Sequence, residues 1–456
     1  MGFNRNPISR ISLAEAIQVG RSTWRHRPIP GIWNRKLATP PSLSVRHLTP
    51  PTPAKQARCL HISSSAMSST TVNRSKGEPA SSWLGHHGAA AFDLRSDTMT
   101  TPTQAMLSAI QKTTLLDDVF QEDTTTTDLE AHIASLTGKE AGLFVLSGTM
   151  GNQLALRALL TQPPHSVLTD HRSHIIQYEA GGVSSLTGAM ITPVIPKNGL
   201  FLTLSDIQAS AILDNDVHSC PTRVISLENS LNGLITPLNE IQKIAAFARE
   251  HNILMHCDGA RLWEVVAADP SKGDLKDYSA CFDTLSLCFS KGLGAPIGSI
   301  LVGPKPVIKH ARWIRKSIGG GLRQSGVVTA AARVAIDTTF GHGPRGEGGL
   351  LRATHDTARR VAALWANLGG KLEYPVHTNM VWLDLSSLNT TSERFVELGK
   401  QAGLRIHGNR LITHYQIGEE AIRRLTGIFE KVAAEKESGD VKDVRGRRQG
   451  IYGSKL

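Results

Sequence analysis

The sequence predicts an α/β fold, a mostly parallel sheet covered by helices and followed by a smaller α+β region. Two observations carry the large part. Short apolar runs alternate with helix-patterned stretches between residues 141 and 303, the signature of strand–helix–strand units. The polar residues able to do chemistry fall at the carboxyl ends of those runs, where open α/β sheets bind ligands. A third observation marks the change of architecture: the alternation weakens after Asp337, where "GHGPRGEGG" (341–349) reads as a loop.

In chain order, "AGLFVLS" (141–147) reads as a strand and "MGNQLALRALL" (150–160) as the helix after it. "SVLTD" (166–170), "AMITPVI" (189–195) and "TRVISLE" (222–228) are further strands. "LNEIQKIAAFAREH" (238–251) sets Leu238, Ile241, Ile244, Ala245 and Phe247 near one helical face. It feeds "NILMHCDGAR" (252–261), a strand ending on an acid and a glycine, and "DTLSLCFS" (283–290) and "IGSILVG" (297–303) complete the set. Beyond the loop, "TNMVWLDL" (378–385) and a closing helix near 418–435 form the smaller region. The expected division is a basic leader over 1–88, an arm and large domain over 89–337, a small domain over 338–437 and a loose tail over 438–456.

The net charge of +11 suggests nucleic acid, but its location counts against that reading. Residues 1 to 77 hold twelve Lys or Arg against one acid, Glu15, and the remainder holds 38 basic and 38 acidic residues. A nucleic-acid surface needs its basic excess on the fold itself. No apolar run approaches the ~20 residues that span a bilayer. The leader is Arg- and Ser-rich and nearly free of acids, with a short amphipathic stretch around "ISLAEAIQVGR", the composition of a transit peptide. Mitochondrial import is the expectation; the alternative is translation from Met67, giving a cytoplasmic protein. Five cysteines without a C-x-x-C pair suggest neither a disulfide framework nor a zinc site.

"TLSLCFSKGLGAP" (284–296) ends an apolar strand on Ser290 and Lys291, then turns through Gly292 and Gly294. A lysine there is usually a solvated charge. Asp258 changes that reading. Pyridoxal phosphate needs a lysine amine for a Schiff base, an acid for its pyridine nitrogen and a cradle for its phosphate. Two successive strand ends can bring Asp258 and Lys291 to one cleft, and "SGTMGN" (147–152) adds a glycine turn opening a helix, whose free N–H groups favour an anion. Each piece alone has a plain reading as turn, helix entry or surface charge; their common place at strand ends makes the joint reading the stronger one.

With these stand "FDLRSDTMTTPT" (92–103), "GKEAGLFVLSGTMGNQ" (138–153), "EAGG" (179–182), "SLENSLNG" (226–233), "HCDGARLW" (256–263), "FSKGLGAPIGS" (289–299) and "GGGLRQSG" (319–326). In order and spacing they resemble the threonine aldolase family of pyridoxal-phosphate enzymes, of aspartate-aminotransferase-like fold (fold type I). The resemblance runs from about Asp93 to about Tyr415. It implies Lys291 as the Schiff-base lysine, Asp258 as partner of the pyridine nitrogen, and Gly148 and Thr149 at the phosphate. His174 matches the histidine stacked over the ring, Arg261 matches an arginine near both the cofactor and the substrate carboxylate, and Ser96 and Arg410 match the other carboxylate-binding positions. Lys316 and Arg323 resemble residues reaching a neighbouring subunit's site, which implies a homo-oligomer, the family's usual tetramer. No metal is implied.

The implied reaction is retro-aldol cleavage of a β-hydroxy-α-amino acid such as L-threonine or L-allo-threonine to glycine and an aldehyde, with His174 as candidate base. Two departures bear on the hydroxyl. Leu231 and Asn232 occupy a stretch where many relatives carry a histidine, and Phe120 stands where a tyrosine is usual. A β-eliminating lyase or aminotransferase would use the same Lys291 and Asp258. A hydrolase on Ser290 lacks the G-x-S-x-G elbow.

Overall fold

The computed structural model describes residues 88–438. The expected leader and the expected tail beyond Ser438 lie outside the described residues. Seven strands form the main sheet: β1 (Ala141–Val145), β2 (Ser166–Asp170), β3 (Met190–Val194), β4 (Thr222–Glu228), β5 (Leu254–Asp258), β6 (Thr284–Cys288) and β7 (Ser299–Gly303). They lie in the order β1-β7-β6-β5-β4-β2-β3. Every pair from β6 through β3 is parallel, while β7 runs antiparallel to both β6 and β1. The expected mostly parallel sheet is therefore present, with one reversed strand that follows β6 through the tight Lys291 turn. β2, β6 and β7 are buried along their whole length, as strands covered on both faces must be.

Local chemistry explains the elements around the site. The helix Gly148–Leu159 opens on Ser147, whose hydroxyl accepts the Met150 N–H at 3.1 Å, a standard N-cap. Its Gly151 is required by packing: a Cβ there would lie 2.3 Å from Ser286 Oγ on β6. The helix Leu238–Glu250 starts after Pro237 and buries Ile241, Ile244, Ala245 and Phe247, the face its spacing predicts.

The C-terminal part has its own apolar cluster. An antiparallel sheet of Lys371–Leu372, Met380–Asp384 and Arg410–Ile412 is accompanied by the helices Leu351–Asn367, Ser392–Gln401 and Glu419–Ser438. Trp365, Phe395 and Phe429 lie at the centre, with the Trp365 and Phe429 rings edge to face at 5.0 Å. The helix Gly326–Ala335 continues as a π-turn through Ile336–Phe340, across the position expected as a domain boundary. The segment after Phe92 also joins this cluster. Leu94 is fully buried in it, donating its N–H to Arg405 O at 2.8 Å and accepting from Ile412 N at 2.9 Å. That pairing brings Ser96 and Arg410 to the same region. Among the described residues, no helix is long and apolar enough to cross a membrane.

Candidate active site

Register places two acids side by side at the carboxyl edge of the sheet. Glu228 closes β4 and Asp258 closes β5, and they are direct partners in the parallel ladder. Asp258 is buried; its Oδ1 accepts the Ala260 N–H at 3.1 Å and its Oδ2 accepts Asn152 Nδ2 at 2.7 Å. Glu228 accepts the His174 backbone N–H at 2.8 Å. Burial first, then the Asp258 charge, pushes the Glu228 carboxyl up to about 7.

Lys291 follows β6 in a turn closed by Gly294 N–H to Lys291 O at 2.7 Å and Ala295 N–H to Phe289 O at 3.0 Å. Gly294 has φ +84° and lies against the Tyr415 ring. Gly292 is forced by contact, since a Cβ there would lie 2.1 Å from Glu264 Oε1. The half-buried Lys291 is near enough in charge to depress Asp97 and to oppose protonation of His174.

Gly148 and Thr149 occupy the first turn of their helix, with exposed Ser147 before them. A Cβ at Gly148 would approach Cys288 Sγ at 2.8 Å, so this helix start sits against the end of β6, three residues before Lys291. His174 opens a short helix and its Nδ1 lies 2.9 Å from Glu179 Oε1. Burial pulls the imidazolium down, but the Glu179 hydrogen bond and the Asp258 charge outweigh it, so His174 holds its proton to higher pH than a free histidine.

Arg261, three residues past Asp258, gives Nε and Nη2 to Asp97 at 2.8 and 2.6 Å. Ser96 precedes Asp97 and accepts from Thr98 N at 3.2 Å. Arg410 lies over the Trp382 ring at 5.6 Å and reaches Arg95 O at 3.4 Å. The segment 95–97 thus touches both arginines. Lys316 and Arg323 stand apart: both are exposed, and Arg323 is 78% exposed with Asp117 at 3.5 Å. Phe120 is 74% exposed, and Leu231 is buried and offers no polar group.

Glu228 is one of the polar strand ends that the sequence singles out, closing "TRVISLE"; three other residues at the site escape a reading built on the lysine and the aspartate. Asn152, Glu179 and Asp97 all lie within segments already singled out. Each was legible only as a neighbour of a better-known position. Asn152 stands four residues from Gly148 on one helical face, a spacing that does not itself name its partners.

The donor set fits pyridoxal phosphate: a half-buried lysine, a buried strand-end carboxylate and a helix start with free N–H groups. His174, Glu179 and Asp258 also bring ligand atoms within 4.8 Å of one another. Asn152 already donates to both carboxylates, at 2.9 Å to Glu179 and 2.7 Å to Asp258, an arrangement suited to partnering a cationic ring nitrogen.

Fold and site together define a pyridoxal-phosphate-dependent enzyme of fold type I. Residues 93–387 match the family model of the β-eliminating lyases. The chain is 56% identical over 342 residues to the aldolase vrtJ of Penicillium aethiopicum, covering 75% of this chain and 86% of that one. It is 45% identical over 348 residues to the alanine racemase TOXG of Cochliobolus carbonum (76% and 89% covered). It is 46% identical over 338 residues to the low-specificity L-threonine aldolase of Eremothecium gossypii (74% and 86% covered). The Leishmania major threonine aldolase structure shares the fold, with TM-score 0.64 at 18% identity over 75% of this chain and 99% of that one. The chain belongs to the threonine aldolase family and is a carbon–carbon lyase.

Proposed function

We propose that the protein cleaves L-threonine, L-allo-threonine and related β-hydroxy-α-amino acids to glycine and an aldehyde. The observation that carries this reading is that segment 95–97, which includes Ser96, touches both Arg261 and Arg410 within reach of the Lys291 charge. Lys291 would hold the cofactor, Asp258 would face its ring nitrogen, His174 its ring face, and the Gly148–Thr149 helix start its phosphate. The bound cofactor supplies an electron sink for the bond broken at Cα.

The chain's own contribution is orientation and proton handling. Arg261 spends Nε and Nη2 on Asp97, which leaves Nη1 for a carboxylate. Arg410 and Ser96 complete the grip. Fixing the carboxylate fixes which Cα bond stands in line to break. The β-hydroxyl proton needs an acceptor near the ring face. His174, the expected base, holds its proton more tightly than a free histidine, which favours Glu228 beside it as the acceptor above about pH 7. Leu231 contributes no hydrogen bond to the hydroxyl, consistent with weak threo/erythro discrimination.

A second reading has a specific support, the 45% identity to a protein named as an alanine racemase. Aldehyde release from L-threonine and L-allo-threonine, measured with and without pyridoxal phosphate and beside D-alanine formation from L-alanine, separates the two. Cofactor-dependent aldehyde establishes the aldolase. D-alanine without aldehyde overturns it in favour of racemisation.

A homo-oligomer, in the family's usual tetramer, is part of the proposal. Leu115, Leu116, Phe120, Trp313, Ile318 and Val327 are exposed apolar side chains. They lie on segments tied together by Arg315 Nη2 to Asp118 Oδ2 at 2.6 Å and Asp118 N to Arg323 O at 2.9 Å. Exposed apolar groups so placed suit a subunit contact, with Lys316 and Arg323 beside it to reach a neighbour's site. Mitochondrial import rests on leader composition alone; a full-length fusion found wholly in the cytosol would overturn it.

A further inference from the structure

A continuous line of hydrogen bonds runs behind the site, and its polarity is determined at every step. Thr284 Oγ1 on β6 lies 2.9 Å from His256 Nδ1 on β5, and His256 Nε2 lies 3.1 Å from Asn152 Oδ1. Asn152 Nδ2 then reaches both Asp258 Oδ2 and Glu179 Oε1. The same Glu179 oxygen faces His174 Nδ1 at 2.9 Å. Thr284, His256, Asn152, Asp258 and Glu179 are all buried.

The carboxylate end sets the direction. Ionised carboxylates only accept, so the Asn152 NH2 faces them and its Oδ1 faces His256. A flipped amide would aim oxygen lone pairs at two anions. An amide oxygen only accepts, so His256 carries hydrogen on Nε2, and its Nδ1 takes the Thr284 hydroxyl hydrogen. Burial pulls His256 down to about 4, so it is neutral near pH 7 and held in that one tautomer.

We propose that Asn152 is a positioning residue coupling Asp258 to His174, its two amide hydrogens holding two carboxylates in one buried site, with His256 and Thr284 anchoring the amide oxygen from behind. This rests on the cofactor reading above, in which Asp258 partners the ring nitrogen and His174 lies on the ring face. Without the amide, Asp258 and Glu179 are like charges sharing a buried space, and one takes a proton. A proton on Asp258 removes the anion facing the ring nitrogen. A proton on Glu179 removes the anion that charges His174. Glu228 and Lys291 also face this cluster, so either event moves the pH at which bound cofactor changes its absorption.

The test uses the full chain loaded with pyridoxal phosphate, measuring cofactor dissociation by equilibrium dialysis and bound-cofactor absorbance across pH. Asn152→Ala is expected to weaken cofactor binding by roughly five- to a hundredfold, the range for a buried group left unpaired, and to displace the absorbance titration. His256→Leu, which leaves the buried Asn152 Oδ1 without its donor and loosens the amide's position, displaces the titration in the same direction by less. His256→Gln, which keeps a donor toward Asn152, restores it. A wild-type protein that fails to bind pyridoxal phosphate defeats the cofactor reading and this inference together. A wild type that binds, with Asn152→Ala matching it in both readouts, overturns the coupling alone. Should Asn152→Ala not fold, identical titrations for His256→Leu and His256→Gln overturn it equally.

Discussion

Asp97 takes both Nε and Nη2 of Arg261, at 2.8 and 2.6 Å, across 164 residues of sequence. Burial alone would push the Asp97 carboxyl up, but the Arg261 guanidinium, with Lys291 beyond it, holds it well below the usual carboxylate range. Asp97 is fully buried, so the pair is a fixed fork rather than a surface contact. The planar guanidinium is presented in one orientation, with its remaining nitrogen available.

Asp97→Asn keeps the shape and removes the charge. The fork loosens, and the amino-acid concentration for half-maximal rate is expected to rise roughly tenfold to a hundredfold, the range for a lost charge-assisted bond. Asp97→Ala goes further by leaving a cation uncompensated, and is expected to lower unfolding stability by about 3–5 kcal/mol. Steady-state kinetics on the first and denaturant unfolding on the second check these outcomes.

Arg410 tests the carboxylate grip from the other side. It lies over Trp382 and against Arg95 O, so Arg410→Lys loses the planar stack while keeping the charge. Arg410→Ala is expected to raise the half-saturating amino-acid concentration about tenfold or more, and Arg410→Lys by less. Equal, unchanged values for both would remove Arg410 from substrate binding. Cofactor binding by either variant is expected to stay at the wild-type level.

How far the sequence could be read depended on range. The seven main strands were legible because each is a short apolar run bounded by turn residues, and their carboxyl ends named Asp258 and Lys291 directly. Arg410 was visible only by resemblance, since nothing local distinguishes it from any exposed arginine. Its place depends on Leu94 pairing with Arg405 and Ile412, contacts made across some 300 residues. Asn152 and Glu179 were hidden for a different reason. A buried amide between two carboxylates has no sequence pattern; it exists only once β5, the helix from Gly148 and the His174 segment are brought together.

Glu228 gives a pH prediction with a definite sign. Its carboxyl is raised from the ordinary 4.5 to about 7, so the folded, cofactor-free protein binds this proton more tightly than the unfolded chain. Its stabilising contribution is complete below the ordinary carboxylate range and is lost as pH rises through about 7. Glu228→Gln cannot ionise. The melting temperature of that variant minus that of wild type is therefore expected to grow from about pH 5 to about pH 8. A constant difference would mean that Glu228 is already ionised at the lower pH.

Gly292 tests whether the turn holding Lys291 tolerates any displacement. A Cβ at this position would lie 2.1 Å from Glu264 Oε1, and Glu264 cannot easily retreat. It is buried, and its Oε2 is held by His355 Nε2 at 2.6 Å. The other side of the turn is closed as well, because Gly294 already lies against the Tyr415 ring. Gly292→Ala must therefore shift the backbone that carries Lys291. The expected outcome is a protein that folds with lowered stability, by about 1–3 kcal/mol for overpacking, and forms the borohydride-reducible linkage between lysine and cofactor poorly or not at all. Gly418→Ala is the control, since nothing lies within 4 Å of a Cβ there. Full linkage in Gly292→Ala would mean that the Glu264–His355 pair yields, and that Lys291 does not depend on a rigid wall behind it.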